Sequence, residues 1–570
     1  MKTRLHALLA LSAILLLSAC SEYREKATRV FTGGVLYTVN DNQPTAEAIA
    51  IDGNKIVYVG DQDGVQAFIG PDTEVINLQG KTLTPGWIEG HGHFMGLGYN
   101  ELNLDLSDTK SFQEIVDRVK AAVEKTPAGE WITGRGWHQS KWTESPGKEI
   151  AGFPLHHALS EISPNHPVFL YHASGHAGFA NARAMEIAGL NPLGKEQLSD
   201  PEHQEGGEII RDENGNPTGV FNETAMGLIT RHIPANSPEK DRQAFELAMA
   251  ACHRNGITGF HDAGVGSKTV DLYQQMKREG KMELRMYAMI AGGNREFLEE
   301  WLERGPVIDS LLTFRSIKLS CDGALGSRGA WLLEEYSDRP GHFGHETMPM
   351  EYVYEISKMA LQNGFQLCTH AIGDRANNEV LDRYQAALEE YPDKSEDHRF
   401  RIEHAQHLHP EDIPRFAALG VLPAMQAIHL SSDRPWAIER LGEQRIKEGA
   451  YMWQALLQSG VPIINGTDVP VEPINPLANF YASVTRKTLD GSPEGGYEAD
   501  QKMTREQALR SYTMDAAYGS FEESMKGSLE IGKVADFTVF DRNIMEIPEA
   551  ELLQTQVIMT VMDGAIVYQQ

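Results

Sequence analysis

The sequence predicts an α/β protein: a (β/α)8 TIM-like barrel with a small β-sandwich domain built from both termini and a large insertion after the first barrel strand. Three observations carry this expectation. Short apolar runs alternate with helical stretches between about 84 and 524, which implies a parallel sheet, and about eight such units imply closure. Both ends of the chain carry short alternating β patterns instead. The gap after the first apolar run, about 95–240, is too long for a simple crossover and predicts an inserted cap.

The chain opens with Lys2 and Arg4, an apolar run from Ala7 to Leu17, and then Leu17-Ser-Ala-Cys20. Residues 1–19 read as an export signal, too short to span a bilayer. The Leu-Ser-Ala-Cys ending resembles a bacterial lipobox, which makes Cys20 the lipidated first residue of the mature protein. Ser21 behind it resembles the outer-membrane sorting class. The expectation is a cell-envelope protein held by lipid alone, at the outer membrane facing the periplasm.

From 28 to 83 the β runs are Val35–Val39, Ala48–Ile51, Lys55–Val59 and Glu74–Leu78, with Asp52-Gly-Asn54 as a hairpin turn. The same style returns over 525–570, in Ala535–Phe540, Val557–Met562 and Ala565–Tyr568. Barrel strands are expected near 86–93, 257–262, 283–290, 314–321, 365–370, 399–404, 420–426 and 461–467. Helical stretches Ser237–Asn255, Met350–Asn363 and Arg375–Tyr391 separate several of them.

Composition narrows the function classes. Lys and Arg total 51 against 80 Asp and Glu, a net charge of −29. Such an acidic chain argues against a nucleic-acid partner. After Cys20 only Cys252, Cys321 and Cys368 remain, an odd number without paired spacing, so no disulfide framework is expected.

Active sites of barrels lie where strands end at the C-terminal face. In the first strand, His91 and His93 alternate onto one face and can share a metal ion. The fourth contains Lys318, the fifth ends at His370, the sixth at His404, and the eighth at Asp468. Any one of these has an ordinary explanation as a hydrogen-bonded, snorkelling or capping residue. Convergence of all five strands does not, and imidazole with carboxylate suits zinc or a similar divalent ion. Trp137, His138 and His176 in the cap, Arg375 after the fifth strand, and Gln426 and His429 around the seventh are candidate substrate contacts. Asp322 and Gly323 read as the turn after Lys318, and His261 with Asp262 as a structural pair.

These segments together resemble the amidohydrolase superfamily, in the branch that contains N-substituted formamide deformylase. The matching stretches are Pro85–His93, Ser174–Gly178, Lys318–Gly323, His370–Arg375, Arg401–Gln406, Gly466–Asp468 and Gly527–Asp536, spread over nearly the whole mature chain. Glu89 stands where relatives often have Asp. The resemblance implies that His91 and His93 bind one metal, His370 and His404 a second, and Asp468 the first metal while acting as base. Lys318 stands where some relatives carry a carbamylated lysine bridging two ions. The alternative is a single ion on His91, His93, His370 and Asp468, with His404 polarising the substrate. The implied activity is hydrolysis of a C–N bond in a small amide or formamide by a metal-activated hydroxide. Cyclic amide opening, ring deamination and a binding lipoprotein without catalysis remain open, as does a homo-oligomer.

Overall fold

The computed structural model describes residues 26–144, 146–192 and 206–570. The expected signal segment and Cys20 lie outside the described residues. The N-terminal strands are β1 (Arg29–Tyr37), β2 (Thr45–Asp52), β3 (Lys55–Gly60), β4 (Glu74–Asn77), β5 (Thr82–Pro85) and β6 (Trp87–Gly92). The insertion carries β7 (Leu104–Asp105), β8 (Ile132–Trp137), β9 (Glu149–Ile150), β10 (Phe153–Pro154), β11 (Val168–His172), β12 (Ala177–Ala180), β13 (Gly207–Arg211) and β14 (Pro217–Glu223). Then follow β15 (Ile257–Val265), β16 (Arg285–Ala291), β17 (Leu312–Ser320), β18 (Gln366–Ala371), β19 (Arg401–His404), β20 (Leu422–Met425) and β21 (Ile464–Asn465). The chain ends in β22 (Phe537–Phe540), β23 (Val557–Met562) and β24 (Ala565–Gln569).

The barrel sheet runs β6-β15-β16-β17-β18-β19-β20-β21 with every pair parallel. Between β21 and β6 the ladder gives way to single bonds: Asp468 N donates to His91 O at 2.8 Å and His93 N to Val469 O at 2.7 Å. Glu89 reinforces this seam, accepting from Thr467 N and, at 3.0 Å, from Thr467 Oγ1. Gly90 is required here, because a Cβ would meet Asn465 O at 2.5 Å. Helices Pro238–Arg254, Met350–Asn363 and Asp374–Glu390 pack outside. The first starts on the Ser237 cap with Pro238 in its first turn.

Both chain ends meet in a second sheet, ordered β24-β23-β22-β5-β1-β2-β3, with β4 on β1. In place of the expected sandwich there is one sheet with an apolar cluster on each face, Phe31, Ile49 and Ile51 in one and Val30, Ala48 and Ala50 in the other. Lys55 at the start of β3 bridges Val534, just before β22, and Phe31 and Phe537 meet edge to face at 5.7 Å. Arg285 at the foot of the barrel binds Asp536 at 2.6 and 3.1 Å and Asp563 at 2.7 Å, tying the sheet to the barrel. The insertion builds a six-stranded sheet, β13-β14-β12-β11-β8-β7, on a separate apolar core of Leu106, Trp137, Leu170 and Phe179.

The buried Asp515 carboxyl sits in the helix Met514–Gly519, 3.7 Å from Arg510 Nε. Burial pushes its pKa up to about 6, against the pull of Arg510. A folded pKa above the unfolded value means that protonation favours the fold, so this contribution is present below about pH 4 and lost as pH rises through 6. Asp515→Asn is expected to remove that loss, on the order of 3 kcal/mol. Urea unfolding at pH 4 and pH 8 checks it: the gain should appear only at the higher pH.

Candidate metal centre

The strand ends converge on one face of the barrel. His91, His404 and Asp468 each place one ligand atom within 4.8 Å of the others. His93 Nε2 lies 3.2 Å from Asp468 Oδ1, and the His370 and His404 ring centroids are 4.4 Å apart. Lys318 Nζ sits 3.5 Å from His91 Nε2. His404 and Asp468 have φ of 76° and 57°, left-handed backbone that a side chain adopts at a cost and that clusters at functional sites.

A buried relay orients the imidazoles. His91 Nδ1 bonds Glu403 Oε2, and Arg401 holds the same carboxylate through bonds of 2.7 and 2.9 Å. Arg401 is itself fixed on Gly90 O at 2.8 Å and His261 Nδ1 at 3.0 Å. His404 Nδ1 donates to Gln426 Oε1 at 2.7 Å. With Nδ1 carrying the proton in both rings, each Nε2 turns a lone pair toward Asp468, the tautomer a metal requires.

Electrostatics agrees. Burial, helped by Lys318, pulls the His91 pKa down to about 4, and burial with His370 and His91 nearby keeps His404 well below its ordinary value. Both are neutral near pH 7 and free to ligate. Burial pushes the Asp468 carboxyl up, but its contact with His93 outweighs this and draws its pKa well below the ordinary value. Burial also lowers the Lys318 pKa, partly opposed by Glu403 and Asp468. His370 Nε2 and Asp468 Oδ1 are enclosed without a hydrogen bond of acceptable geometry, although Asp322 Oδ1 lies 3.3 Å from the former. Orphaned donor atoms of this kind, in a nitrogen and oxygen set, fit a divalent metal ion.

Other sequence-derived candidates divide. His138, His176 and His429 line a cavity of about 50 Å³ that reaches His404 and Asp468. His176 Nδ1 is held by Glu223 at 2.7 Å; burial lowers its pKa, but Glu223 outweighs this and raises it. Gln426 acts on His404 and does not line the cavity. Trp137 is a correction: its ring is fully buried in the cap core and its Nε1 donates to Leu170 O, so it does not line this cavity. Arg375 is another, stacking on Trp331 at 4.6 Å away from the cavity lining. Asp322 is more than a turn residue, since it accepts from Trp331 N, Ile372 N and Gly373 N at 2.8 to 3.0 Å and so fixes the loop after His370. His261 and Asp262 do not pair; His261 meets Arg401, and Asp262 accepts from Tyr273 Oη at 2.5 Å.

A parallel barrel with histidines and an aspartate gathered at its strand ends defines a metal-dependent hydrolase. The amidohydrolase family matches residues 74–568, and the chain belongs to it. It is 30% identical to a putative amidohydrolase, YtcJ, of Bacillus subtilis, over 95% of this chain and 99% of that one. It is 29% identical to an N-substituted formamide deformylase of Arthrobacter pascens, over 94% and 97% of the two chains. Among solved structures, an uncharacterized metal-dependent hydrolase of Pyrococcus horikoshii superposes with a TM-score of 0.71 at 27% identity, covering 91% of this chain and 99% of that one.

Proposed function

We propose that this metal-dependent amidohydrolase cleaves the C–N bond of a small amide or formamide. One observation carries the reading: Glu403 and Gln426 take the Nδ1 protons of His91 and His404, so both rings offer Nε2 beside an ionised Asp468. The similarity to an N-substituted formamide deformylase supports the bond type.

His91, His93 and Asp468 would hold one divalent ion, zinc by preference of the donor set, and His370 with His404 a second. Lys318, 3.5 Å from His91 Nε2, would join the ligand set as a carbamate; a free ammonium beside two cations is strongly disfavoured. Bound there, such ions supply a Lewis acid and lower the pKa of water. Asp468 takes the proton of the attacking water at Oδ1 and returns it to the leaving nitrogen. His176, held by Glu223 in the cavity wall, faces His370 across 5.0 Å between ring centroids and orients the substrate from the cap side. Relay residues Arg401 and Glu403 keep His91 from rotating.

The expected address is the cell envelope, with the protein exported and lipidated on Cys20. In support, the Leu17–Cys20 sequence resembles a lipobox.

The test is release of free amine from a panel of N-substituted formamides and N-acetyl amines. Chelation is expected to abolish turnover and to be reversed by adding zinc back. Activity confined to ammonia release from ring amidines would overturn the bond assignment.

A further inference from the structure

A second cleft, of about 340 Å³, opens on the other side of His93, between the helix Phe94–Leu102 and the cap. Its wall contains Arg135 and Lys240 and, among the described residues, no Asp or Glu. That is unexpected in a chain with 80 acidic residues. The nearby Asp241 is occupied by Tyr99 Oη at 2.6 Å and does not line the cleft. By contrast, the inner cavity on the His404 side carries Asp433, Glu472 and Asp468.

Arg135 is the unusual member. Its Nη2 donates to Ala173 O at 2.9 Å, while its Nε is enclosed and meets no acceptor. No carboxylate forms an ion pair with it among the described residues. A guanidinium is charged at every working pH and has five donors in a planar fork suited to a carboxylate. The backbone makes room for it: Gly175, at φ +77°, is 3.3 Å from Arg135 Nη2 at the position a Cβ would take. Lys240 is partly spoken for, donating to Asn103 at 3.3 Å.

We propose that Arg135 is a specificity-determining residue that binds a carboxylate carried on the amine side of the substrate. The sizes of the two spaces orient the molecule. The inner cavity, the smaller of the two, takes the acyl group, and the cleft beside His93 takes the larger, anionic arm. The scissile bond then lies between them, at Asp468. This inference deepens the amide-hydrolase reading and rests on it for the placement of the acyl group.

The test separates binding from turnover. Levulinate is an uncleavable ketone isostere of N-acetylglycine, methyl levulinate is its neutral counterpart, and 3-oxobutane-1-sulfonate is a non-planar anion of similar length. Titration calorimetry on the zinc-loaded full chain is expected to show levulinate binding at least about tenfold more tightly than methyl levulinate, the size of one charge-assisted pair. Arg135→Gln should erase that preference and Arg135→Lys should keep part of it. Equal affinity of the wild-type protein for levulinate and its ester overturns the proposal without any variant having to fold. Sulfonate bound as tightly as carboxylate overturns the carboxylate assignment. If levulinate is preferred but neither N-acetylglycine nor N-acetylglycinamide is cleaved, the anion subsite stands and the amide-hydrolase reading falls.

Discussion

Asp468→Asn is expected to lower turnover by about 10³-fold, within the range that a positioned proton carrier contributes. The side chain is buried, sits 3.2 Å from His93 Nε2 and 3.7 Å from His91 Nε2, and has its pKa drawn well below the ordinary value by the contact with His93. Asparagine preserves the shape but cannot accept the proton of an attacking water. The substitution also removes a carboxylate donor, so metal content must be measured beside kcat. A fall in kcat with metal retained assigns the proton role to Asp468, whereas unchanged turnover would sink it.

The second large effect belongs to a residue that touches no substrate. Glu403→Ala leaves the fully buried Arg401 guanidinium without its carboxylate, and removing one partner of a buried ion pair typically costs about 3–5 kcal/mol. The pair's strength shows in the Glu403 carboxyl: burial pushes its pKa up, yet Arg401 and His91 outweigh that and draw it far below the ordinary range. The same change frees His91 to rotate, and loss of such an orienting partner lowers metal affinity by about 10–100-fold. Urea denaturation and competition with a chelator measure the two losses separately. Glu403→Gln should recover part of the metal affinity and little of the stability, because an amide oxygen can still accept from His91 Nδ1 but cannot compensate the Arg401 charge.

Much of this centre was legible beforehand, and the misses have physical causes. Barrel strands fall within a few residues of the apolar runs, except β21, which shrinks to Ile464–Asn465 because bonds across the seam replace a ladder. Histidines at strand ends are conspicuous because chemistry at that face needs them. Glu403 was hidden by strand alternation, which sends neighbours to opposite faces; the left-handed backbone at His404 lets both members of the pair face His91. Gly136 at φ +113° breaks the alternation in β8, so Trp137 turns into the cap core while Arg135 turns to the cleft. Arg135 could have been suspected only from its two flanking glycines.

The seam between the first and last barrel strands also has a consequence for biosynthesis. Glu89 and Thr467 are 378 residues apart along the chain, yet they bond directly, one on either side of the gap that the ladder leaves open. A ribosome making this protein therefore releases His91 and His93 long before their neighbour Asp468 exists. Until the last strand emerges, those histidines stand on an open edge, and a C-terminal truncation before residue 468 leaves them there permanently. Full occupancy by metal would thus report that synthesis has passed residue 468, and a product shortened before that point would be distinguishable by its failure to retain the ion.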